Sequence, residues 1–129
     1  MAKFENFEDI AAWKKGRELA KALYQETSSR VFAKDFALWD QIGRSAVSIM
    51  ANIAGGFERG GDKEFRQFLA MAKGSIGELK SHLYIAADAG FLSREKFTQY
   101  YQLASEIGKL LGGLMRYLTA SDLRGPKFK

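Results

Sequence analysis

The side chains that could do chemistry in this chain are scarce, and their spacing argues against catalysis. There is one histidine, His82, and no cysteine among 129 residues. A base-assisted serine nucleophile would have to use His82, and Ser45, Ser48 and Ser75 read better as contacts between helices. Di-iron bundles need several inward glutamates and Glu-x-x-His motifs. Here His82 follows Glu78 by four residues, and the other helices offer no matching inward carboxylates. The glycine pairs at 55–56, 60–61 and 112–113 fit neither a phosphate-binding loop nor a dinucleotide fingerprint. The expectation is a protein that is not an enzyme, with no metal and no cofactor.

Cations are the better lead. Lys14, Arg17 and Lys21 recur at three- and four-residue steps and so share one stripe of a helix, with Lys15 alongside. Arg59, Lys63 and Arg66 cluster around a glycine turn, and Lys73 and Lys80 share a face further on. The formal net charge is +5, and residues 91–129, with seven basic and three acidic side chains, hold four of those five charges. Arg124, Lys127 and Lys129 fall in a basic tail, 121–129. One such stripe is ordinarily a wet face, and a charged tail a solvated end. Copied around an assembly, however, a modest patch becomes a positive surface able to hold a phosphate backbone. No base-reading motif is present, so binding of that kind would be weakly sequence-selective.

The elements that must position these residues are legible from apolar periodicity. A chain of 129 residues with 47% hydrophobic content and ten phenylalanines suits one globular domain with a real core. The N-terminus lacks the apolar stretch of a signal peptide, and no run approaches the roughly 20 apolar residues that cross a bilayer. Absence of cysteine is compatible with a reducing compartment. These features predict a cytoplasmic protein with no membrane association.

Four amphipathic segments follow, at about 7–29, 38–58, 62–89 and 93–119. Asn6 is the expected N-cap of the first, whose inner face is Ile10, Trp13, Gly16, Ala20, Leu23 and Thr27. A connector holding Phe32 and Phe36 should tuck an aromatic under the end of the bundle. Leu38, Ile42, Ala46, Ile49, Ile53 and Phe57 form the second stripe. Gly60-Gly61 suits a tight reversal, with Asp62 as the expected cap of the third helix. There Phe65, Phe68, Ala72, Ile76, Leu79 and Leu83 repeat the pattern. Gly90 should end the third helix and Ser93 cap the fourth, whose seam is Phe97, Tyr100, Ala104, Ile107, Leu111, Leu114 and Leu118. Connections this short force antiparallel neighbours. The fold class is all-α, an antiparallel up-down-up-down four-helix bundle in a single domain.

Polar residues crowd the middle hairpin. Gln41, Arg44, Ser45, Ser48 and Asn52 run beside the second stripe, and Ser75, Glu78 and His82 beside the third. Polar groups next to a core need specific partners. If facing positions across Gly60-Gly61 sum to about 120, Arg44 reaches Glu78, and an interhelical ion pair is expected there, with the serines satisfying spare bonds. Small residues add a second theme. Ala12, Gly16 and Ala20 share a face of the first helix, Ala70, Gly74 and Gly77 thin the third, and Gly108 and Gly112 thin the fourth. Interior glycine costs about 1 kcal/mol against alanine, so packing or assembly reasons are expected. Seventeen aromatics are many for one thin bundle, and Phe65, Tyr84, Phe91, Tyr101 and Tyr117 fall partly off the stripes, which suggests an interface.

The run Gln41-Ile42-Gly43-Arg44-Ser45-Ala46-Val47-Ser48-Ile49, followed by Asn52-Ile53-Ala54-Gly55-Gly56-Phe57-Glu58-Arg59, resembles the bacterial four helix bundle protein family. That family includes the proteins encoded in 23S rRNA intervening sequences. Ala72-Lys73-Gly74-Ser75-Ile76-Gly77-Glu78-Leu79 resembles its second hallmark and Trp13 its third, so the likeness covers about Phe7 to Leu118. Gly55 stands where the family usually has Glu, and Gly43 where it often has a basic residue. The resemblance implies a ring of bundles, a homopentamer. Relatives that serve as accessory subunits of diversity-generating retroelements partner a reverse transcriptase and nucleic acid. The resulting expectation is a homo-oligomeric assembly protein that binds RNA, or a nucleic-acid-processing enzyme, through Lys14, Arg17, Lys21, Arg59, Lys63 and Arg66. The alternative is a scaffold whose aromatic face recruits a protein while its charge serves solubility.

Overall fold

A computed structural model describes residues 4–27 and 35–124, with side chains up to Ala120. Asn6 does not open a helix of full length. It starts a single 3-10 turn, Phe7–Asp9, in which the Asp9 carboxylate accepts from the Asn6 amide at 3.1 Å. Ile10 is then extended (φ −78°, ψ 121°), and the first long helix, α1, covers Ala11–Glu26. The bend lets Phe7 meet Trp13 edge-on at 5.1 Å while Ile10 enters the core. The second helix, α2 (Phe36–Glu58), begins two residues before the expected start because Asp35 accepts from the Leu38 amide at 3.0 Å, a side-chain cap. Phe36 is consequently the first helical residue and is 77% exposed, so it does not tuck beneath the bundle. Phe32 lies outside the described residues.

Gly60 takes φ +84°, a value open to glycine, and turns the chain into α3 (Asp62–Asp88). The cap is Gly61, and Asp62, placed at the cap by sequence, is instead the first residue of the helix, where its charge suits the helix dipole. The C-terminus of α3 closes as expected on Gly90, at φ +82°, with the Phe91 amide returning to the Ala86 carbonyl at 2.8 Å. Ser93 Oγ accepts from the Lys96 amide and caps α4, Arg94–Arg124. This last helix runs past the expected end near 119, taking in Arg124 of the supposed tail. Lys127 and Lys129 lie outside the described residues.

Each helix packs on its chain neighbours, α1 closes the ring against α4, and α2–α3 is the most extensive contact. The four-helix bundle is confirmed. Its core holds Leu19, Leu23, Ile42, Ile49, Ile53, Leu69, Leu79, Leu83, Tyr100, Ile107 and Leu111. Leu19 and Leu69 are missing from the sequence-derived stripes, whereas Trp13, Phe57, Phe68, Phe97 and Leu114 are only half-buried. At Phe57 and Leu114, late in their helices, the difference reflects 3.6 residues per turn, which rotates a fixed three-four pattern off the buried face. Phe65, read as partly off the core, is buried, edge-on to Phe57 at 6.0 Å.

Candidate nucleic-acid interface

The antiparallel arrangement brings the start of α1, the α2–α3 turn and the end of α4 to one end of the molecule. Lys14, Arg17 and Lys21 stay on the exposed side of α1. The Arg17 guanidinium lies 6.0 Å from the Trp13 ring, and that of Arg59 lies 5.0 Å from Phe68, both cation–π distances. Lys63 is exposed on the first turn of α3. Arg66 differs from the others: half-buried, its Nη1 donates to the Leu118 carbonyl at 3.2 Å and ties α3 to α4. It is held by the fold rather than offered to a ligand. Lys15 pairs with Glu106 of α4 at 3.2 Å. Lys14, Arg17, Lys21, Arg59 and Lys63 form no ion pair with any described residue.

The polar residues of the hairpin separate into two groups. Ser48 and Ser75 hydroxyls meet at 2.9 Å across α2 and α3, and Asn52 Nδ2 donates to the Ser48 carbonyl at 2.9 Å and to its hydroxyl at 3.1 Å. Ser45 and Ser75 are buried, each 6% exposed. The expected Arg44–Glu78 ion pair does not form. Arg44 is 73% exposed and its Nε donates to Asp40, one turn back on the same helix, at 2.9 Å, which raises its pKa through that hydrogen bond and charge. Glu78 and Gln41 face solvent. Two residues can lie at one level along antiparallel helices and still point apart, because neighbouring positions differ by about 100° around each axis. Ser45 and Ser75 point inward; Arg44 and Glu78 are turned out.

α1 and α4 are also joined at Glu26. Its Oε1 accepts from the Tyr100 hydroxyl at 2.6 Å and lies 3.3 Å from Lys96 Nζ. Burial, then the carboxylate bond, pushes the Tyr100 phenol far above its ordinary value. Sequence reasoning placed Tyr100 in the core without its partner, which lies 74 positions away. On the outer face of α3 and α4, Tyr84, Phe97 and Tyr101 form an aromatic cluster with ring separations of 4.9–5.7 Å. Among the described residues no group of three or more histidine and carboxylate side chains could hold a metal ion, and no helix is long and apolar enough to cross a membrane.

This is a small all-α bundle whose best-defined polar contacts join helices and whose exposed cations include Lys14, Arg17, Lys21, Arg59 and Lys63. Residues 8–113 match the family model described as 23S rRNA-intervening sequence protein, and the chain belongs to that family. Among solved structures it is similar to a protein of unknown function from the S23 ribosomal protein family of Bacteroides thetaiotaomicron. The two are 25% identical with a TM-score of 0.74, over 81% of this chain and 98% of that one. A comparison with curated proteins found no match.

Proposed function

We propose that this chain is a non-enzymatic, cytoplasmic assembly protein whose copies associate into a ring, a pentamer on the family resemblance, and hold RNA by its phosphate backbone. The observation that carries the reading is the set of exposed cations, Lys14, Arg17, Lys21, Arg59 and Lys63, that form no ion pair within 4 Å with any described acid. Charges of this kind bind polyanions weakly one copy at a time, and repetition in an assembly multiplies them. The exposed side chains of Val47, Met71 and Ile85 supply apolar surface for association.

Binding of a short unstructured RNA at about 50 and 200 mM salt tests this, since phosphate contacts weaken steeply as salt rises. Lys14→Glu with Lys21→Glu should lower affinity for all RNAs alike and flatten the salt dependence. Affinity indifferent to salt would instead favour a scaffold that recruits partners through apolar surface.

A further inference from the structure

The seam between α3 and α4 carries a second cationic surface, away from the α1 stripe. Lys73 and Lys80 of α3 face Lys109 and Arg116 of α4 across an open groove of about 550 Å³ with no acidic residue in its lining. A larger groove of about 1030 Å³ lies between α1 and α4, but Glu18, Glu95 and Glu106 line it and offset its cations. Size therefore points to one groove and charge to the other. A polyanion selects by charge.

The floor of the α3–α4 groove is glycine. A Cβ at Gly77 would meet nothing within 4 Å, and one at Gly108 only Ile76 Cδ1 at 4.0 Å. No close helix packing demands these glycines, although each costs about 1 kcal/mol of helix propensity. Their effect is to keep the groove open. At Gly112 the bare backbone leaves room for the Arg116 guanidinium, whose Nη1 would lie 3.4 Å from a Cβ there. Along the same seam, Lys80 Nζ stands 4.8 Å from the Tyr101 ring, and Tyr101 continues into exposed Tyr84 and half-buried Phe97. From Lys73 to Tyr84 the helix rises about 16 Å. Asp88 is the acid that acts on Tyr84, beyond the end of the groove.

A row of cations leading to an aromatic cluster with one exposed ring, here Tyr84, is an arrangement that suits a single strand, with phosphates in the groove and bases stacked on the aromatic end. We infer that the α3–α4 groove, from Arg116 and Lys73 through Lys80 and Lys109 to Tyr101 and Tyr84, is a binding channel for single-stranded nucleic acid. The inference rests on the RNA-binding reading above and adds the strand's location and its single-stranded form. A duplex, whose bases are already stacked, gains only the charge.

The test compares an unstructured RNA, the DNA strand of the same sequence and an RNA duplex of equal length, by fluorescence anisotropy with the full chain. Wild type should bind both single strands more tightly than the duplex. Lys80→Glu with Lys109→Glu should weaken single-strand binding at least tenfold, by roughly the loss expected for two phosphate contacts reversed. Tyr84→Ala with Tyr101→Ala should cost single strands about tenfold while leaving the duplex unchanged, because stacking is lost and charge is not. Gly77→Leu fills the groove without altering charge and should reproduce the loss with helical content intact. Lys14→Glu with Lys21→Glu, on the far side, should weaken strands and duplex equally. Wild-type RNA binding that groove variants leave untouched overturns the channel and spares the broader reading; no RNA binding by wild type overturns both. A change of mass in Gly77→Leu would make the groove a contact between copies, and would also overturn the channel.

Discussion

Ser48, Ser75 and Asn52 show how three small polar side chains can be accommodated at a helix interface. The hydroxyl pair spans 27 positions of sequence and the asparagine closes it from the adjacent turn of α2. Ser48→Ala should cost about 1 kcal/mol, since Ser75 and Asn52 each lose a partner in a half-buried setting. Replacing both serines by alanine should cost less than the sum of the single changes, and urea unfolding of the four proteins measures that coupling. Tyr100, 2% exposed, makes the stronger bond, to a carboxylate. Tyr100→Phe should destabilise by about 1.5–3 kcal/mol at neutral pH. The phenol's pKa is raised in the folded state above its ordinary 10.0, so folding favours the protonated form. That contribution is fully present below about pH 10 and is lost as pH rises further. The melting-temperature gap between wild type and Tyr100→Phe should therefore be constant from about pH 7 to 9 and shrink above pH 10.

At the scale of helices, glycine has opposite meanings at different places. A Cβ on Gly56 would lie 2.5 Å from Phe68 Cβ and 3.1 Å from the Phe65 ring, so α2 and α3 approach there as only glycine permits. Gly56→Ala should cost about 1–3 kcal/mol by overpacking, despite alanine's better helix propensity. Gly74, with nothing within 4 Å of its would-be Cβ, should respond the other way, and Gly74→Ala should stabilise by about 0.5–1 kcal/mol. Thermal melts of the two variants against wild type check both signs. At Gly55, where the family usually has glutamate, a Cβ would sit 3.6 Å from the Phe68 ring, an ordinary contact. That position could carry a side chain without moving either helix.

For the whole molecule, the open question is multiplicity. The apolar side chains left outside the core belong to several helices: Tyr24 on α1, Val47 on α2, Met71, Tyr84 and Ile85 on α3, and Tyr117 on α4. Light scattering in dilute buffer should give a single mass several times the 14.4 kDa of one chain. A monodisperse protomer would remove the assembly on which multiplied weak charge depends. Lys14→Glu with Lys21→Glu, on a solvated face, should leave that mass unchanged.

Number and order of helices, the glycine reversals at 60 and 90, the Ser93 cap and most of the inward stripes were determined by the chain alone, because propensity, capping and apolar period act over a few residues. The family, too, was legible in the run from Gln41 to Arg59. Asp35 carries a local signal as well: its carboxylate reaches the Leu38 amide and caps a helix that begins at Phe36. Other features belong to the tertiary structure. Rotation of α2 about its axis turned Arg44 onto Asp40, away from Glu78, while the same rotation delivered Ser48 to Ser75. Arg66, one of six cations equal in the sequence, became a tie to Leu118, and Tyr100 found Glu26. The α3–α4 groove likewise exists only once Lys73 and Lys80 stand across from Lys109 and Arg116. Local rules place a residue along a helix; which way it faces, and across from whom, is decided by how whole helices pack.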